Sequence, residues 1–382
     1  MGFIGEICFY FFFMNILIIA QGYPDKYRSV YTFVKQLVDQ FAALNHKCCV
    51  IAPYSITKNK RFHKFCDCEG GVTLLRPNYL SISNFHIGKI EPSQLLFENA
   101  VKRAYKRVPF VPDVVYAHFW CSGRQIYPLI KDKKIPLFVA TGESIIPPDD
   151  IKPELQNFYD YVKGVICVSS KNRDESIGHG MSTIDKCLLA PNGVNPLFFY
   201  KKNKEECRDA FGLPKDKFII AFCGAFIHRK GVKVLSDAID SIKGEPVYSL
   251  FLGRPLEELP SCKNILFQGP VKHEDLVTYL CAADAFVLPT LHEGCCNAII
   301  EAMACGLPIV SSDLSFNWDV LDDTNSILVD PKNSVQVAEA IVALRDDKQK
   351  RKELAEGALE KAKKLTIGER AKKIIEFMQS RK

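Results

Sequence analysis

Two glutamates eight positions apart, Glu293 and Glu301, frame the stretch LHEGCCNAIIEAMACG at residues 291–306, which also holds a glycine directly after the first acid and three cysteines. Such residues suit three chemistries: a carboxylate pair working on one bond, a thiol site for metal or redox work, or a cradle for a ligand. Spacing argues against the first. Eight residues of helix rise about 12 Å and turn the two side chains about 80° apart, whereas a glycosidase pair sits ~5–9.5 Å apart across one bond. The cysteines are too spread for a tetrahedral site: Cys295 and Cys296 fall in the predicted first turn, and Cys305 precedes a helix-ending Gly306. A cradle remains. The apolar run Ala285-Phe286-Val287-Leu288 and the Pro289-Thr290 turn predict a strand leading into Glu293-Gly294, then a helix over 295–304. The amides of Gly294, Cys295, Cys296 and Asn297 would then face an anion, with the two acids at opposite ends of an elongated ligand. A nucleoside diphosphate sugar has that layout: sugar, diphosphate, ribose.

A second stretch supplies positive charge. Phe218-Ile219-Ile220-Ala221-Phe222-Cys223-Gly224 reads as a strand and glycine turn, followed by Ala225-Phe226-Ile227-His228-Arg229-Lys230-Gly231 and a helix. Backbone amides and adjacent cations at such a turn suit phosphate. Neither GxGxxG nor GxxxxGK[ST] is present, which excludes the dinucleotide and P-loop fingerprints. Taken alone, Arg229 and Lys230 read equally well as solvated charge.

These residues need strand ends to stand on. Apolar runs at 14–20, 47–53, 72–76, 113–118, 136–140, 164–169 and 187–190 alternate with helical patterns such as 30–44 and 94–107. The segment PNGVNPLFFYKKNK at 191–204 interrupts the alternation, which restarts with runs at 218–224, 247–252, 265–269, 284–288, 307–311 and 326–329. The pattern predicts an α/β protein of two doubly wound Rossmann-like domains, 14–196 and 204–365, whose parallel sheets face across a deep cleft. The charged helical tail 366–382 is expected to cross back onto the first domain.

The chain has 382 residues and a net charge of +6, with 47% hydrophobic and 25% charged residues. That composition is ordinary for a globular protein and gives no sign of nucleic-acid binding, though it favours anionic ligands or an anionic membrane surface. The 15 cysteines are an odd number and mostly lie in apolar runs, so they read as core thiols in a reducing, cytoplasmic compartment. His63, Cys66 and Cys68 lack a second CxxC half and do not make a zinc site. Residues 7–20 are apolar but shorter than the ~20 residues a membrane span requires, and no basic flank marks a signal peptide. Met14 is the expected start, with 1–13 an extension.

The Glu-x7-Glu block with EAMACGLPIVSSD, the GAFIHRKG turn, the PNGV hinge and the early GYP turn resemble retaining glycosyltransferases of family 4, with the GT-B fold, from Met14 to near the end. The resemblance implies that Glu293 touches the donor sugar's hydroxyls and Glu301 the ribose hydroxyls. It implies that Gly294, Cys295, Cys296 and Asn297 offer amides, and that Gly22 and Gly224 let backbone approach the donor. Lys230 matches the family's diphosphate-binding lysine. Ala225 departs from the family, where many members carry arginine after the first glycine; Arg229 is expected to take over part of that charge. His118, at the end of the run Val115-Tyr116-Ala117-His118, matches the catalytic-site histidine, and Glu143 is a candidate acceptor contact or a helix cap. No DxD pair occurs, so neither a divalent metal nor another cofactor is expected.

The implied activity is transfer of a hexose-type residue from a nucleoside diphosphate sugar to a glycan or lipid-linked acceptor, in bacterial surface polysaccharide synthesis. An epimerase or phosphorylase of similar fold and a non-catalytic nucleotide-sugar-binding subunit are the alternatives. Lys58, Lys60, Arg61 and Lys64, with the amphipathic segment 94–107 carrying Lys102, Arg103, Lys106 and Arg107, read either as solvated surface or as a contact with an anionic leaflet.

Overall fold

A computed structural model describes residues 13–27, 30–81, 92–146 and 153–382. The expected extension up to residue 12 and part of the loop 77–93 lie outside these.

The first sheet has eight strands: β1 Asn15–Ile19, β2 Lys47–Ile51, β3 Cys66–Glu69, β4 Val72–Leu75, β5 Val114–His118, β6 Leu137–Thr141, β7 Val162–Cys167 and β8 Cys187–Leu189. Their order is β8-β7-β6-β5-β1-β2-β4-β3, parallel except where β3 runs antiparallel to β4. The central runs are apolar on both faces because helices cover both sides, which is why NILII and VVYAH show no alternation. The exception is β3, whose Cys-Asp-Cys-Glu sequence is exposed throughout at the sheet edge.

The second sheet contains β9 Phe218–Cys223, β10 Val247–Leu252, β11 Ile265–Gly269, β12 Ala285–Leu288, β13 Ile309–Ser312 and β14 Ser326–Val329, all parallel, in the order β11-β10-β9-β12-β13-β14. Strand order reverses beside β9 here and beside β1 in the first sheet. At such reversals the loops leave in opposite directions and open a crevice at the strands' carboxyl ends. Gly22 follows β1, His118 ends β5, Gly224 follows β9 and Glu293 follows β12, so four candidate residues flank the two reversals.

The helices α1 Thr32–Ala43, α2 Pro92–Tyr105, α3 Trp120–Ile130 and α4 Ser170–Gly178 belong to the first half. Among those of the second half are α5 Val232–Ser241, α6 Asn297–Ala304, α7 Ser334–Asp346 and α8 Lys348–Lys364. The last helix, α9 Ile367–Ser380, packs Ile374, Ile375 and Met378 into the core of the first sheet with Phe41 of α1 and Tyr116 of β5. The chain therefore passes between the halves twice, and the passages touch: Val194 bridges Thr366 in parallel, and a Cβ on Gly193 would lie 2.6 Å from the Ile367 nitrogen.

Candidate active site

The junction after β12 differs from its expected form. Helix α6 starts at Asn297 with Cys296 as its cap residue, so Glu293 to Cys295 are not helical and only four helical steps separate Asn297 from Glu301. The cause lies across the crevice. A Cβ on Gly294 would stand 2.6 Å from the Gly142 carbonyl oxygen and 3.0 Å from that of Glu143, so backbone from the two halves meets here. Only glycine permits this approach.

Glu293 is buried, and one of its oxygens takes three partners. Its Oε1 lies 2.5 Å from Lys230 Nζ and 2.8 Å from Arg229 Nη1, and accepts from Thr290 Oγ1 at 3.0 Å. Burial alone raises the carboxyl's pKa, but Lys230 and Arg229 outweigh it and hold the group below its usual range. Burial likewise opposes the Lys230 ammonium, yet Cys296 and Glu293 carry its pKa above the ordinary value. Both cations come from a short 3-10 turn, His228–Lys230, that closes on Gly231 with φ 74. A Cβ at Gly231 would meet the Pro289 carbonyl oxygen at 2.1 Å, so this glycine lets the cationic turn press against the end of β12. Arg229 also donates to the His292 carbonyl, and Leu291 N donates to the Arg229 carbonyl at 2.8 Å. Gly224, with φ 153, sits beside the Lys230 stem: a Cβ there would be 3.4 Å from Lys230 Cε.

Glu301 is in the opposite condition. It has no hydrogen-bond or ion-pair partner among the described residues, and burial alone pushes its pKa up to about 7. One carboxylate is held charged by two cations; the other is poised between its neutral and charged forms.

The facing half presents three groups. His118 ends β5, buried, with its ring 4.2 Å from Phe119 and 5.2 Å from Phe33, and neither ring nitrogen has a partner. Burial first, and Arg370 second, bring its pKa down to about 3, so the ring is neutral. Glu143 caps rather than projects: Oε1 accepts from Trp120 N, at the start of α3, at 3.2 Å, and Oε2 accepts from Gly142 N at 2.8 Å. Burial raises its pKa despite these bonds. Gly22 is covered by an aromatic ring, since a Cβ there would lie 2.7 Å from Tyr31 Cδ2.

The sequence reading did not single out the side chains that join the halves. Asn192 Nδ2 donates to Asn297 Oδ1 at 2.8 Å and contacts the Cys295 carbonyl at 3.4 Å, tying the hinge to the start of α6. Ser170 N and Oγ both donate to Asp319 Oδ2, at 2.7 and 3.0 Å. Within the first half, Asn172 Nδ2 donates to the Glu143 carbonyl at 2.9 Å and steadies the loop that meets Gly294. The PNGV segment was legible as a hinge, but nothing local in the sequence announces that its asparagine reaches the donor-side helix.

The described residues contain no group of three or more His, Cys, Asp or Glu arranged to hold a metal ion. Cys66 and Cys68 lie exposed on β3, and Cys296 and Cys305 are buried. No helix of the described residues is long and apolar enough to cross a membrane.

Two Rossmann-like sheets with reversal points beside β1 and β9, and with the Gly294 turn against the loop after β6, define the GT-B fold. Residues 217–347 match the family described as glycosyl transferases group 1, so the second half of the chain carries a domain of that kind, and the protein is a glycosyltransferase. The chain is similar to a putative teichuronic acid biosynthesis glycosyltransferase of Bacillus subtilis, with 28% identity over 299 residues covering 76% of this chain and 75% of the relative. It is 28% identical over 209 residues to the N,N'-diacetylbacillosaminyl-diphospho-undecaprenol alpha-1,3-N-acetylgalactosaminyltransferase of Campylobacter jejuni, covering 52% of this chain and 55% of the relative. The solved structure of Anabaena HepE in complex with UDP and glucose shares the fold, with a TM-score of 0.70 at 18% identity, over 96% of this chain and 100% of that one.

Proposed function

We propose that the protein moves a hexose-type residue from a nucleoside diphosphate sugar to a sugar hydroxyl of a glycan or lipid-linked glycan, retaining the anomeric configuration and using no divalent metal. The observation that carries this reading is the half-buried Lys230–Glu293–Arg229 cluster at a strand-to-helix junction pressed against the opposite half. Glu293 pairs with both cations and offsets one of their two charges. A donor diphosphate competes for Lys230 and Arg229 and frees Glu293 to accept hydrogen bonds from the sugar's hydroxyls. Glu301, unpaired one turn into α6, is placed for the ribose hydroxyls, with the amides of residues 294–297 between the two acids.

In the reaction the bond from the anomeric carbon to the diphosphate breaks and its electron pair stays on the phosphate oxygen. Lys230, Arg229 and the start of α6 stabilise that charge in a preorganised, low-dielectric setting. The acceptor hydroxyl adds to the same face of the sugar and its proton passes to the departing phosphate oxygen. His118 is neutral, and both its ring nitrogens are buried without a partner; it would hydrogen-bond the sugar once the donor displaces the side chains that cover it. Glu143 fixes the loop opposite Gly294 and stands at the acceptor edge.

The relatives support a polysaccharide setting: one is named for teichuronic acid biosynthesis and another for a diphospho-undecaprenol acceptor. A membrane-bound acceptor also suits the first half, where Arg103 bonds the Asn78 carbonyl at 2.8 Å and Asn78 bonds the His63 carbonyl at 2.7 Å. Arg107 lies over Phe65 at 4.5 Å, so the two basic stretches meet, and Phe62 beside them is 78% exposed. Binding to liposomes that is insensitive to anionic lipid and to salt removes this membrane contact.

A panel of UDP-, GDP- and ADP-sugars tests the main reading. One of them should raise the melting temperature and support transfer to a glycan acceptor, with activity unchanged in EDTA. Donor consumption without acceptor points to the epimerase or phosphorylase reading; tight donor binding without any transfer points to a binding subunit. Loss in EDTA restored by Mg²⁺ overturns metal independence.

A further inference from the structure

The last helix brings a charged side chain into the first half that the catalytic account leaves unused. Arg370 lies one turn into α9 and is only 5% exposed. Its Nε donates to the Ala190 carbonyl at 3.2 Å, just past β8, while its Nη2 is buried with no partner. The Tyr116 hydroxyl lies beside the guanidinium without completing a hydrogen bond and is likewise unpartnered. Tyr116 and His118 are two residues apart on β5, so they point to the same face of the sheet, the face that α1 and α9 cover. Both nitrogens of His118 are open as well. Arg370 is the charged group facing that histidine among the described residues.

Three buried polar groups with open valences on one face, from two elements distant in sequence, is not a packing accident. Buried polar atoms that lack partners are rare, and each calls for an account. Their donor and acceptor roles fit a relay that uses all three groups. A guanidinium only donates, a phenol both donates and accepts, and a neutral imidazole accepts at one nitrogen and donates at the other. Donation from Arg370 to Tyr116, and from Tyr116 to the bare nitrogen of His118, directly or through one enclosed water, leaves the ring N–H on the remaining nitrogen.

We infer that Arg370 is a positioning residue: carried in by the C-terminal helix, it works through Tyr116 to fix the tautomer of His118, so that the histidine presents an N–H to the donor sugar. The inference rests on the glycosyltransferase reading for its catalytic consequence, not for its geometry. The hydrogen bond made by one ring nitrogen sets the role of the other. Because Arg370 also holds the Ala190 carbonyl at the entry to the hinge, the catalytic tautomer is tied to the docking of α9 across both halves.

The test uses full-length protein labelled with ¹⁵N-histidine, in which a His118→Phe variant identifies the His118 signals. Wild type should show His118 as a single neutral tautomer at pH 7. Arg370→Met and Tyr116→Phe should each give a mixture of tautomers and lower kcat about tenfold while donor Kd stays within about twofold, and Arg370→Lys should restore the single tautomer and most of kcat. An unchanged tautomer in Arg370→Met and Tyr116→Phe overturns the inference, as does a loss of kcat that simply follows a lower melting temperature. Should wild-type protein bind and transfer no nucleotide sugar at all, the catalytic reading fails, while the tautomer measurement still judges the arrangement itself.

Discussion

Glu293 and Glu301 sit on the same chain segment eight residues apart, and their surroundings could hardly differ more. Glu293 has two cations and a hydroxyl on its carboxylate, and the cations hold its pKa below the usual range against the effect of burial. Glu301 has burial and nothing else, and sits near half protonation at neutral pH. On the proposed function, one junction serves two ends of a ligand. The Lys230–Glu293–Arg229 cluster keeps a net positive charge that a diphosphate would engage. Glu301 is the acceptor without a partner that a pair of ribose hydroxyls would complete.

The largest effect should come from removing the cation that both Glu293 and the diphosphate claim. Lys230→Ala should lower kcat by about 10²–10³, the scale seen when one preorganised charge-stabilising donor is lost, with a smaller change in donor Kd. Single-turnover transfer alongside donor titration separates the two. A loss confined to Kd reduces Lys230 to a binding residue and removes the transition-state side of the contrast.

Glu301 should sharpen the comparison through pH. Its folded pKa is raised above the unfolded value, so the folded state holds the extra proton between about pH 4.5 and 7, and stability falls as pH rises across that window. Glu301→Gln should be insensitive there and should gain on wild type by at most about 3 kcal/mol near pH 8. Thermal melts at a series of pH values measure the gap; a constant gap between pH 5 and 8 overturns the raised pKa. Ribose hydroxyls favour the carboxylate, so donor Kd should weaken by up to about tenfold from pH 8 to pH 6 in wild type and stay flat in Glu301→Gln.

Glu293 should behave in the opposite sense. Its folded pKa is depressed, so its contribution to stability is present above the unfolded value near 4.5 and is lost as pH falls through the folded one. Glu293→Gln leaves Lys230 buried beside Arg229 without a counter-charge. It should lower the melting temperature at pH 7 and make that loss vanish at the acid end of the same pH series.

Much of the fold was legible because it rests on local apolar runs. The run read at 218–224 is β9 over Phe218–Cys223, and that at 284–288 is β12 over Ala285–Leu288. The edge strand β3 was not legible, since Cys-Asp-Cys-Glu buries no side chain and so carries no hydrophobic signal. The start of α6 was read two residues early for a different reason. The residues before it form a bend at Gly294 that packs against the Gly142 backbone of the other half, a contact no local window of sequence contains. The same limit applies to the site. Residue types and spacing pointed to Glu293, Lys230 and Arg229, but that Glu143 caps α3 and that Arg370 reaches β5 depends on tertiary geometry no window of sequence contains.

The smallest effect probes the contact that joins the two compared ends to the hinge. Asn192 spans from the PNGV segment to Asn297 Oδ1 and the Cys295 carbonyl, within the turn whose amides are proposed to face the diphosphate. Neither partner is charged, and a neutral hydrogen bond of this kind contributes about 1 kcal/mol. Asn192→Ala should therefore lower kcat/KM by about fivefold, through looser placement of the start of α6 and not through lost charge. The Lys230 and Glu301 signatures should persist in this background: the same ratio of kcat loss for Lys230→Ala, and the same pH-dependent stability gap for Glu301→Gln. If Asn192→Ala instead erases the pH dependence of donor binding, the hinge, and not burial within α6, sets the condition of Glu301, and the two ends of the junction are coupled rather than independent.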